Sequence, residues 1–294
     1  MKRRFLAPSR FLSRAALLLA SPALAIAVAS AAAQPSPAAS AAYNAYLRSV
    51  ELRLARQHRS QANFLANLVP GSPRDRDLHR GAPLLEDLSP GSSAISGALI
   101  HHWRATAFIP GATAAEFDRL LRDFPAYPRI FAPQVQRVWV LNGSTNGARI
   151  TMRMLQHHGI TVVLDGTFRV TFGRLDALHA FSNSASTAIS EVASAGSARG
   201  HRLAPAADHG FLWRMNTFWS AEQRNGGLYL QIESVSLTRS IPFGLAWAVR
   251  PFTQSIPRDS LAFTLNAARR ALQPPHHAAA ASAMPSRRTE RNPS

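Results

Sequence analysis

The chain of 294 residues contains no cysteine. That excludes a disulfide framework, a thiolate metal site, a cysteine nucleophile and a lipidated N-terminal cysteine. Lysine is nearly absent too: Lys2 is the only one, and every other basic side chain is arginine. Acids are scarce, with 16 Asp and Glu against 33 Lys and Arg and a net charge of +17. No His-Glu-x-x-His pattern or His/Asp cluster occurs. His101-His102 lie in a strand pattern, where neighbouring rings point to opposite faces and cannot chelate together. His157-His158 fall in a turn and His276-His277 in the tail. No Gly-x-Ser-x-Gly elbow and no phosphate-cradling glycine loop is present. The expectation is therefore no metal and no cofactor.

What is present begins with an export signal. Lys2, Arg3, Arg4, Arg10 and Arg14 form a basic head, an Ala/Leu-rich run follows from Ala15, and Ala31-Ala32-Ala33 offers a cleavage site. The same run is nearly long enough to span a bilayer, but Pro22 and the small-residue site favour a cleaved signal peptide over residues 1–33 and a periplasmic or secreted product. Five of the +17 charges leave with that segment, so +12 remains. This balance favours anionic surfaces such as lipid headgroups. The arginines are scattered with no interleaved aromatics, so nucleic acid is not an expected partner. Oligomeric state leaves no mark in the sequence.

Residues 34–42 read as a Pro/Ser/Ala linker. Tyr43 to Leu68 reads as a helix, with Tyr46, Val50 and Leu54 at helical spacing among Arg48, Arg53, Arg56 and Arg59. Such a helix either lies on a membrane or docks on the main domain; Glu51 and the polar 57–63 stretch favour docking. A loop with a short hairpin turning at Gly81 completes an extension over 43–96. Residues 273–294 read as a disordered basic tail.

Between these lies the main domain, residues 97–272. Leu99–Ile109 reads as a strand. Thr113 and Glu116 form a capping box, and Phe117, Leu120 and Leu121 share one face of the helix that follows. Pro125 and Pro128 then end it in an Asp123-Phe124-Pro125-Ala126-Tyr127-Pro128 corner. Val135–Leu141 and Ala148–Gln156 form a hairpin around Asn142-Gly143 and Asn146-Gly147. Val162, Leu164, Phe168, Val170 and Phe172 share a strand face opposite Thr161, Asp165, Thr167, Arg169 and Thr171. Leu175–Phe181 and Ala185–Val192 are shorter strand candidates. His209–Trp219 and Leu228–Arg239 form a hairpin across Asn225-Gly226-Gly227. Two helical pieces, Phe243–Val249 and Pro257–Leu272, end the domain, divided at Pro251.

The helix, the aspartate-aromatic corner and this element order resemble the START-like polyketide cyclase/dehydrase (SRPBCC) superfamily. The resemblance covers residues 99–272. It implies an α+β helix-grip fold, a curved antiparallel sheet of six or seven strands wrapped around a long C-terminal helix, with a cavity faced by the last strands. On that expectation Trp213, Met215, Tyr229, Gln231, Glu233 and Trp247 line a pocket for an apolar or amphipathic molecule such as a lipid, a quinone or a polyketide-like compound, and Phe243–Ile256 acts as its lid. Glu233 is the single catalytic candidate. It serves either as an acid/base or as the ion-pair partner of Arg214 or Arg153. The function classes left open are a carrier, a cyclase or dehydratase, and a ligand-free structural protein of the envelope.

Overall fold

The computed structural model of the protein describes residues 34–90, 97–158, 160–240 and 246–273; side chains are described for these apart from 157, 158, 160, 206 and 246–255. The stretch read as a signal peptide (residues 1–33), residues 241–245 and the tail from 274 lie outside the described residues.

One antiparallel sheet organises the chain. Seven long strands, β2 (Ala98–Pro110), β3 (Val135–Ser144), β4 (Gly147–His158), β5 (Ile160–Arg174), β6 (His179–Ala193), β8 (Arg214–Arg224) and β9 (Gly227–Arg239), lie in the spatial order β2-β9-β8-β6-β5-β4-β3. The sheet is curved and does not close. Two short strands raise the count among the described residues to nine: β1 (Leu84–Asp87) at the β2 edge and β7 (His201–Arg202) on β6. The expected count omitted both, because strands of four and two residues carry no legible alternation.

The expected capping box is in place on helix α3 (Ala114–Arg122): Thr113 accepts from the Glu116 amide, and Glu116 accepts from the Thr113 amide. The proline corner continues in a 3-10 turn (Phe124–Ala126) and a short helix, α4 (Tyr127–Ile130). The Tyr127 hydroxyl ties it to the Leu121 carbonyl at 2.6 Å. The first hairpin turns at Thr145-Asn146, since a bulge carries β3 past Asn142-Gly143. The last hairpin turns at Asn225-Gly226, both at positive φ as a tight hairpin turn demands.

The two expected C-terminal pieces are one helix, α5 (Ala246–Leu272), with Pro251 and Pro257 inside it. Its Leu261, Leu265, Ala268 and Leu272 pack on Ala105, Ala107, Ile109, Leu228, Leu230 and Ile232 of β2 and β9. That side of the sheet is the inner face.

The outer face is covered over β2, β9 and β8 by the N-terminal extension. Its first helix, α1 (Pro37–Gln57), starts inside the stretch read as a linker, because Ser36 caps it and Pro37 suits its first turn. Tyr43, Val50 and Leu54 are buried against Phe218, Val235 and Leu237. The apolar side of α1 is thus docked on the sheet, the second of the two readings. The expected hairpin at Gly81 is instead a helix, α2 (Pro73–His79), followed by β1. Residues 34–273 belong to one compact unit.

Candidate functional site

Strand β9 is buried on both faces, and its alternation decides what each residue can do. Leu228, Leu230 and Ile232 point inward, whereas Tyr229, Gln231, Glu233 and Val235 point outward under the extension. Glu233 is 1% exposed. Its carboxylate accepts from Arg104 Nε at 2.8 Å, from Arg53 Nη1 at 3.1 Å and from His102 Nε2 at 3.0 Å. Burial by itself raises the carboxyl pKa, but the bonds from His102 and Arg53 and the charges of Arg104 and Arg53 outweigh it and hold the pKa well below the ordinary range. Glu233 therefore stays ionised and is a poor proton acceptor. Its partners are Arg53 of α1 and Arg104 and His102 of β2, not Arg214 or Arg153.

The neighbouring outward residues are equally committed. Tyr229 donates to Asp75 Oδ1 at 2.6 Å and bonds His79 Nε2 at 2.7 Å. Gln231 accepts from the Ala66 amide at 3.0 Å and donates to the Ala66 carbonyl and to Thr106 Oγ1. These side chains fasten the extension to the sheet. A cavity of about 550 Å³ opens above the Glu233 cluster, lined by polar groups of Tyr46, Arg53, Gln57, Asn63, His102 and Arg104 among others.

The inner face carries different chemistry. Around Ile150, Met154, Leu164 and Phe168 on β4 and β5, the side chains of Met152, Val162, Ile189, Leu212 and Met215 are only half-buried. Among the described side chains, Tyr127 and Phe172 join this apolar strip to the α5 core. At its end sits Glu191, 5% exposed, on the inward side because it registers with Leu164. Glu191 accepts from the His209 amide at 2.8 Å and contacts His209 Nδ1 at 2.6 Å. Burial, with Asp208 beside it, pushes the Glu191 pKa up despite the bonds from His209. The imidazole of His209 is half exposed, at 52%. A buried acid of raised pKa joined to an accessible imidazole at the end of an apolar strip can bind a polar head or move a proton.

The structure therefore divides the expected pocket residues. Met215 lies on the inner apolar strip. Tyr229, Gln231 and Glu233 lie on the opposite face, beneath the extension, and Trp213 packs in the outer cluster with Phe218 and Val235. They do not face a cavity under α5. The Trp247 side chain and the expected lid side chains lie outside the described residues, although the backbone from Ala246 is helical. His101 and His102 point to opposite faces, with His101 on Thr238 and His102 on Glu233. Glu191 escaped sequence reading because nothing near it in the chain marks it; its signal is the Asp208-His209-Gly210 turn 17 residues on. Among the described residues no three His, Asp or Glu side chains converge to hold a metal ion.

No family model matches the chain, and no curated protein matches it. Solved structures it resembles are START and SRPBCC proteins. An aromatase/cyclase, ZhuI, from Streptomyces sp. R1128 is 13% identical over 58% of this chain and 93% of its own, with a TM-score of 0.41. A STAR-related lipid transfer protein fragment from Xanthomonas axonopodis is 16% identical over 64% of this chain and 98% of its own, at 0.42. Human STARD10 is 11% identical over 68% and 80%, at 0.40. The helix-grip assignment rests on the chain's own strand order and on the seating of α5.

Proposed function

We propose that the protein is an exported binding protein for an amphipathic small molecule, held on the inner face with its apolar body against Met152, Val162, Ile189, Leu212 and Met215 and its polar group toward Glu191 and His209. The half-exposed apolar strip ending in that buried acid carries the reading. Burying such side chains under a ligand is worth about 25 cal/mol per Å², and two methionines give the surface adaptable packing. Native mass spectrometry of the protein from its own host, followed by organic extraction, tests the proposal. The expected result is a bound mass that disappears on denaturation, and that Met215→Asp depletes while Glu233→Gln does not. A ligand-free mass, with no apolar compound taken up on addition, would sink it.

A second reading has its own observation. The Glu191–His209 contact supplies an acid–base pair of the kind a cyclase or dehydratase needs. His209→Ala abolishes turnover of the extracted compound in that case and only weakens retention if the protein is a carrier.

A further inference from the structure

The extension leaves half of the outer face bare. On β3, β4 and β5, the exposed outward residues include Arg137, Trp139, Arg149 and Arg169. The cross-strand register sets Arg137 directly opposite Arg153, and Arg149 directly opposite Arg169. Like charges facing each other across a ladder destabilise it, yet two such pairs occur here, with the Trp139–Thr151 rung between them. Asp165 is the one acid of this patch. It is spent on Arg153 at 2.8 Å and Arg202 at 3.1 Å. Among the described residues, no carboxylate lies within ion-pair distance of Arg137, Arg149 or Arg169. Five arginines thus meet a single aspartate, over a patch that sheet geometry makes about 13 Å long and 10 Å wide. Beside it the β3 edge exposes Trp139, Val140 and Leu141, at 41%, 50% and 52%.

We infer that this half-face docks on an anionic lipid bilayer, its arginines on acidic headgroups and the Trp139–Leu141 edge in the interface. The unpaired guanidinium groups call for an external anion, and the outer face of the curved sheet spreads them across three strands rather than gathering them around a point. Tryptophan beside aliphatic side chains suits the headgroup–hydrocarbon boundary. A nucleic acid would use the tryptophan as a stacking platform, but the Arg153 guanidinium lies 5.9 Å from its ring centroid, and Val140 and Leu141 offer bases nothing to stack on. A second copy of this face, or the arginine-bearing tail, would be repelled. The inference is independent of the ligand on the inner face.

The test is partitioning of the full chain onto phosphatidylcholine vesicles with and without phosphatidylglycerol. Binding is expected to need the acidic lipid and to weaken as salt rises. Arg149→Gln with Arg169→Gln should lower the partition constant roughly 25-fold, about five-fold per arginine. The leading segment is common to wild type and variant, so the difference reads the face alone. The same double variant should melt at a higher temperature, because it removes a repelling pair, and that rise shows that it folds. Trp139→Ala should weaken partitioning at any salt concentration. Equal partitioning onto both vesicle types, or an unchanged constant in the double variant, overturns the inference. So does arginine-dependent binding to single-stranded or duplex DNA in place of vesicles. Ligand retention by native mass spectrometry is read separately and fails or stands on its own.

Discussion

Glu233 sits where donors from two elements converge, and its position explains why a carboxylate is tolerated in a strand buried on both sides. Removing one partner of a buried ion pair leaves the others uncompensated, at a cost of about 3–5 kcal/mol. Glu233→Gln is therefore expected to lower the unfolding free energy by an amount in that range at neutral pH, read from urea denaturation. The effect has a pH window. Since the folded pKa lies below the unfolded value of 4.5, the unfolded chain takes up the proton first. The carboxylate's contribution is complete above that value and fades as pH falls toward the folded one. The variant should lose that acid dependence. His58 behaves the same way for a different reason. Buried against Phe64 and Phe181, with Nε2 at 2.8 Å from Ser220 Oγ, its imidazole has a pKa pushed down by burial from 6.5 to about 4. Between those values the unfolded chain binds a proton that the folded one refuses. Stability is then complete above pH 6.5 and falls by on the order of 3 kcal/mol as the pH is lowered through the window. Equilibrium unfolding at a series of pH values checks this, and His58→Phe should flatten the curve there.

At the scale of elements, α1 decides which half of the outer face stays covered. Its most informative anchor is Tyr43, whose hydroxyl lies 3.0 Å from both Asn216 Oδ1 and the Val235 carbonyl. Tyr43→Phe strands those two acceptors in a dry interface and should cost about 1–3 kcal/mol, read as a lower denaturant midpoint with an unchanged slope. Strand β5 was fully legible in the sequence, since Val162 to Phe172 alternates and only one of its faces meets a core. Strand β9 was not. It is apolar on both sides, so no alternation says which residues face α5 and which face α1, and Tyr229, Gln231 and Glu233 were assigned to the wrong side. Helix α5 differs from its sequence reading for a local reason: Pro251 reads as a stop and Pro257 as the first turn of a second helix, whereas the packing of Leu261, Leu265 and Leu272 on the inner face accompanies one continuous helix.

For the whole molecule, the order of elements along the chain could be read from periodicity and the capped α3, and the gripped helix followed from the resemblance that order carries; the spatial order of the strands could not be read. The candidate sites could not, because they are built from residues far apart in sequence. Glu191 meets His209 through a turn, the arginine grid exists only once the register of β3, β4 and β5 is known, and the donors to Glu233 come from the opposite end of the chain. That last separation has a consequence for how the protein is made. Tyr43 and Val235 are 192 residues apart, and Arg53 and Glu233 are 180 apart. The ribosome delivers α1 first and its seat almost last, and the same late strand completes the core around α5. Until β9 emerges, neither side of the sheet can close, so contacts of such long range form slowly and late. A nascent chain wired in this way can bury neither face of its sheet until elongation is nearly complete.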